Sequence, residues 1–141
     1  MKRIAGISLA LVALTCLVAP FSGPVSAAEA PADRVVVMYF HRTERCPTCL
    51  KMGSYSEEAV KSAFSQQIKD GEVAFYYIDF QDPKNAALTR GYRVGSPTLI
   101  VAKIVGNKVA EFKDLKEIWM KVRDKGAFLT YVQDNVTNYR K

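Results

Sequence analysis

No internal repeat, no low-complexity segment and no Gly-rich phosphate loop occurs in this sequence, so it shows no built-in cradle for a nucleotide. Basic residues outnumber acidic ones, 20 to 14, but they are spread along the chain rather than gathered into a stripe. That excludes a dedicated nucleic-acid binder, and the mild excess fits solubility at an anionic envelope. Histidine and tryptophan occur once each, as His41 and Trp119, and cysteine three times, at positions 16, 46 and 49. Long apolar runs are confined to the start of the chain.

That start reads as a leader. Lys2 and Arg3 precede an apolar run from Ile4 to Pro20, and the small residues Val25-Ser26-Ala27-Ala28 follow. Positive, apolar and small segments in that order make a secretory signal peptide with cleavage after Ala27 or Ala28. An uncleaved anchor is the alternative, although the run falls short of the ~20 apolar residues that span a bilayer. A lipoprotein through Cys16 is a third reading, with Thr15 a poor fit before it. The division expected is a signal peptide over 1–28, a short lead-in over 29–34 and one domain over 35–141. The leader removes two basic residues and no acid, lowering the net charge of +6 by two. It also removes Cys16, so Cys46 and Cys49 remain as an even pair in an exported chain, periplasmic or extracellular.

Those two cysteines frame Cys46-Pro47-Thr48-Cys49. Such a spacing closes into a disulfide or holds a soft metal. Val35-Val36-Val37-Met38-Tyr39-Phe40 reads as a buried strand before it, and Leu50 to about Lys69 as a helix after it. A thiol at that junction lies where backbone N–H groups and the helix dipole favour a thiolate.

The remaining elements follow from local signals. Gly71 suits a left-handed helix cap. Val73 to Phe80 reads as a central strand, and Asp82-Pro83 opens a short helix through Arg90, closed by Gly91. Thr98 to Val105 is a third strand, turned by Gly106-Asn107 into a fourth, Lys108 to Phe112. From Asp114 the pattern is helical: Leu115, Ile118, Trp119 and Val122, then Phe128 or Leu129, Val132, Val136 and Tyr139, with Gly126 bending or splitting it. Trp119 reads as core. Gly53-Ser54 reads as a kink, and Ser54-Tyr55-Ser56-Glu57 has capping-box spacing. Glu44, Glu57 and Glu58 read as surface charge. Asn135-Val136-Thr137 matches a glycosylation sequon inside a helix. The order β-α-β-α-β-β-α predicts an α/β fold, a mixed four-stranded sheet flanked by helices.

That order, the Cys-x-x-Cys after the first strand and Ser96-Pro97-Thr98 before the third strand resemble the thioredoxin superfamily over residues 35 to 139. The resemblance implies a redox-active Cys46–Cys49 disulfide as the working group, with no bound cofactor. It implies a cis Pro97 lying against the dithiol, with its neighbours, Ser96 among them, pairing with the backbone of a substrate. Cys46 becomes the nucleophile and Cys49 the resolving thiol, with Pro47 and Thr48 tuning redox poise. The partner is a disulfide- or dithiol-bearing client protein.

Arg45, Arg42 and His41 are candidates for lowering the Cys46 pKa. The soft-metal alternative, a Cu(I) binding or delivery module, draws on Cys46, Cys49, Met52 and His41. A redox subunit with a purely structural disulfide is a further alternative. Many thioredoxins carry a buried acid in the first strand; here it is apolar, which leaves His41, Glu44 or water to accept a proton.

A narrower similarity lies in Tyr39-Phe40-His41-x-Thr43-x-Arg45-Cys46-x-Thr48-Cys49, with Tyr55, Tyr92, Leu115 and Trp119. These resemble small exported thioredoxin-like proteins, the nitrophenyl compound nitroreductase subunit (ArsF) family. With no nucleotide loop, such a role amounts to passing electrons to a partner that holds the reducing centre.

Overall fold

Alternation in the first strand decides the layering. The computed structural model describes residues 29–141; the leader and its Cys16 lie outside the described residues. Strand β1, Arg34–His41, sends Val35, Val37 and Tyr39 to one face of the sheet and Met38 and Phe40 to the other. Both faces are apolar because β1 is an inner strand. The sheet order is β2-β1-β3-β4, with β2 Val73–Asp79, β3 Thr98–Val105 and β4 Lys108–Asp114. β1 runs parallel to β2 and antiparallel to β3, and β3 and β4 form an antiparallel pair.

The face of Val35, Val37 and Tyr39 is covered by α1, Pro47–Ala63, and α5, Lys125–Arg140. Cys49, Met52, Ser56, Ala59 and Val60 line the inward side of α1 at helical spacing, and Phe128, Val132 and Val136 line that of α5. The opposite face gathers Met38, Phe40, Ile100, Ala102 and Ile104 under Phe80, Tyr92 and Val94. These three flank a 3-10 turn, Pro83–Asn85, and the short α3, Ala86–Gly91.

Several local expectations hold. Gly71 has φ +77°, and Gly106-Asn107, at φ +56° and +62°, makes the tight turn between β3 and β4. Others are corrected. The helix after the dithiol breaks at Phe64 instead of running on to Lys69, so that α2, Ser65–Lys69, is separate. No helix start forms at Ser54, since α1 is continuous through Gly53-Ser54, and the Ser56 hydroxyl donates back to the Met52 carbonyl at 2.7 Å. β2 is an edge strand rather than a central one, because β3 takes the other side of β1, and Tyr76 and Tyr77 are exposed.

Gly91 ends α3, yet the left-handed residue that follows is Arg93, at φ 55°. Between α4, Ile118–Lys121, and α5 the break falls at Val122 to Asp124 rather than at Gly126. Asp124 Oδ1 caps α5 by accepting from the Ala127 N–H at 3.0 Å. Trp119 is not core: it is 43 % exposed. Among the described residues no helix is long and apolar enough to cross a membrane.

Candidate active site

The pairings His41↔Asp79 and Phe40↔Thr98 bring the end of β1, the end of β2 and the start of β3 to one edge of the fold. The loop from β1 to α1 is fastened there. Thr43 donates through its hydroxyl to Asp79 at 2.7 Å and through its N–H to Gln81 at 3.1 Å. This delivers Cys46 to the helix start, where it is the N-cap of α1 with Pro47 as the first helical residue.

Both cysteines are free, Cys46 exposed and Cys49 buried. The Cys49 backbone N–H donates to Cys46 Sγ at 3.2 Å. The Cys46 pKa is lowered, first by the hydrogen bond from the Cys49 thiol and then by backbone N–H groups of Cys49 and Thr48. Burial is the main cause that raises the Cys49 thiol, and the neighbouring sulfur adds to it. One sulfur is therefore an accessible thiolate former and the other a sealed thiol. Under brief iodoacetamide pulses at a series of pH values, Cys46 should reach its plateau rate below the ordinary thiol range of ~8.5. Cys49 should stay protected beyond that range. Equal titration of the two sites, read by mass spectrometry, would contradict the geometry.

The basic neighbours do something other than expected. His41, 6 % exposed, accepts at Nε2 from an Arg45 guanidinium nitrogen at 2.8 Å. A guanidinium cannot accept, so the imidazole proton sits on Nδ1 and is donated to the Arg42 carbonyl at 2.8 Å. Arg45 also lies over the Tyr77 ring, 5.2 Å from its centre. Its guanidinium is thus engaged by His41 and Tyr77, and hydrogen bonds rather than the arginines are the leading causes of the Cys46 shift. Arg42 acts on Cys49, partly offsetting the effect of burial.

Met52 is fully buried in the core, and both His41 nitrogens are committed. Among the described residues no three His, Cys, Asp or Glu side chains group as ligands. Ser96 is exposed and Pro97 buried, at the dithiol end of the sheet. Every described peptide bond is trans, Ser96–Pro97 included, so the implied cis bond is not found. Asn135 of the sequon is 8 % exposed and donates to the Tyr131 carbonyl.

The contacts that three residues make at the site escaped the sequence reading. Tyr39, wholly buried, donates its hydroxyl to the Cys49 carbonyl at 2.8 Å and so ties β1 to the first turn of α1. Tyr77 donates to Glu57 at 2.9 Å, and burial, with that carboxylate, pushes its pKa up to about 12. Glu57 is thereby more than loose surface charge. Trp119 donates its indole N–H to the Pro97 carbonyl at 3.0 Å. Trp119 was visible as a lone aromatic, but nothing in a sequence pairs it with Pro97.

No family model matches this chain, and no curated protein matches it. Among solved structures, human ERp44 in a zinc-bound form matches 76 % of this chain at 14 % identity with a TM-score of 0.53. The chain spans 27 % of ERp44's length. A thioredoxin from Thermus thermophilus matches 64 % of this chain and 72 % of its own, at 20 % identity and TM-score 0.34. A Plasmodium falciparum thioredoxin matches 72 % and 74 %, at 17 % identity and TM-score 0.36. The fold is thioredoxin-like. In this thioredoxin-like frame the Cys-x-x-Cys occupies the junction of the first strand and first helix, as the element order implied. The narrower resemblance to the nitroreductase subunit family gains nothing from these matches.

Proposed function

We propose that this chain is an exported thiol–disulfide oxidoreductase whose working group is the Cys46–Cys49 dithiol. The observation that carries the reading is the asymmetry of the pair: an exposed Cys46 sulfur that accepts the Cys49 N–H, and a Cys49 that is 6 % exposed with a raised pKa. A thiolate is the attacking species in disulfide exchange, and the protein favours it at the accessible position.

The Cys46 thiolate attacks one sulfur of a client disulfide. The Cys46–client bond forms, the client S–S bond breaks, and the client's other sulfur leaves as a thiolate. Cys49 then attacks Cys46 Sγ, closing the Cys46–Cys49 disulfide and expelling the client's second sulfur. Two electrons pass from protein to client, and the proton Cys49 loses balances the one the client dithiol takes up. The reverse sequence oxidises a client dithiol. Export is supported by the leader pattern of residues 1–28. The residues shared with the nitroreductase subunit family support a narrower version in which the same exchange hands electrons to a partner enzyme.

Cys49→Ser tests the reading. The variant keeps the nucleophile and lacks the resolving sulfur, so it should accumulate a covalent adduct with a disulfide peptide that dithiothreitol releases. A variant that forms no adduct while Cys46 remains alkylatable would overturn the proposal.

A further inference from the structure

A groove of about 290 Å³ opens beside the dithiol, lined by Thr48, Lys51, Trp119, Val122 and Arg123. One wall is the first turn of α1, where Thr48 stands between the two cysteines. The other is α4 and the residues that follow it. Trp119 supplies a broad apolar surface, 43 % exposed yet held by its hydrogen bond to the Pro97 carbonyl. A half-exposed indole fixed in place, rather than free to turn, makes a preformed wall.

The charge of the groove is one-sided. Its titratable lining groups are Lys51 and Arg123, both cations, and no carboxylate lines it. Six other Lys and Arg side chains of the described residues form ion pairs, at Lys61, Lys84, Lys116, Lys121, Lys125 and Arg140. Lys51 and Arg123 form none. Two cations without an ion-pair partner thus meet, with no carboxylate in the lining, in the cavity adjoining Cys46-Pro47-Thr48-Cys49.

We infer that the client is a polypeptide with an acidic residue beside its reactive cysteine, its carboxylate seated between Lys51 and Arg123 and an apolar side chain against Trp119. The inference rests on the oxidoreductase reading and adds the substrate class. Complementary charge at such a rim acts on encounter and orientation and weakens with salt. Lys51 and Arg123 are specificity residues; the chemistry stays with the cysteines.

The test uses two synthetic disulfide peptides, identical except that one carries Glu and the other Gln beside the cysteine. With the purified, reduced chain at low salt, the Glu peptide should react on the order of 5- to 10-fold faster, as modest rim attractions predict. The ratio should fall toward one at high salt, and should invert or vanish in the Lys51→Glu, Arg123→Glu double variant. Because the readout is a ratio, any change in Cys46 reactivity cancels. Equal rates for the two peptides, or a preference that survives the double reversal, would overturn the inference and leave the oxidoreductase intact. Failure of both peptides to react would overturn both.

Discussion

Cys46→Ser should bring thiol–disulfide exchange down to the rate of buffer alone, while the fold persists. A serine hydroxyl is not ionised near neutral pH and cannot attack a disulfide. Cys49 cannot stand in for it, since burial both raises its pKa and hides it from a client. The cap survives, because serine is among the preferred N-cap residues and its oxygen can accept the Cys49 N–H that Cys46 Sγ accepts now. Urea unfolding should therefore shift by no more than about 0.5 kcal/mol, the usual range of a surface change. Turnover of a quenched fluorescent disulfide peptide reads the activity. Residual catalysis above buffer in this variant would move the nucleophile elsewhere.

Gly53→Val should produce the largest loss of stability near the site. A Cβ at position 53 would lie 2.9 Å from Tyr39 Cε1 and 3.0 Å from Tyr77 Cε1. Tyr39 cannot give way: it is wholly buried, and its hydroxyl is bonded to the Cys49 carbonyl. The helix has to lift from β1, and overpacking of this kind costs about 1–3 kcal/mol. Valine recovers less helix propensity than alanine would, so little offsets the clash. The urea midpoint should fall by the equivalent of about 2 kcal/mol with an unchanged slope. Cys49 should alkylate faster as the seal under α1 loosens. An unchanged midpoint would mean that Tyr39 does not press α1 as described.

Much of the site was legible because it is local. Cys46, Pro47 and Cys49 are contiguous with a buried strand and a helix, so their order and the difference between exposed and buried sulfur follow from helical geometry. The turn at Gly106-Asn107 and the cap at Gly71 are written in residue types that tolerate positive φ. What could not be read joins distant elements. The Arg45 guanidinium is claimed by His41, on β1, and by Tyr77, on β2, and no spacing in the sequence announces that competition.

Periodicity misplaced Trp119 for a related reason. Leu115, Ile118 and Val122 form the buried stripe, and in a helix as short as α4 the neighbouring position already lies at its rim. The tyrosines of β2 suggested a central strand because aromatic residues suit any half-buried pleat, edge included. The peptide bond before Pro97 was expected cis from resemblance alone and is trans.

The proposed exchange requires that Cys46 and Cys49 form one reversible two-electron couple. Equilibrating the purified chain across a series of glutathione redox ratios, quenching with an alkylating agent and weighing the products measures this directly. One transition should appear, between a doubly alkylated dithiol and an unalkylated Cys46–Cys49 disulfide, the same when approached from either side. Two cysteines that titrate independently, or a pair that never closes on itself at any ratio, would contradict it.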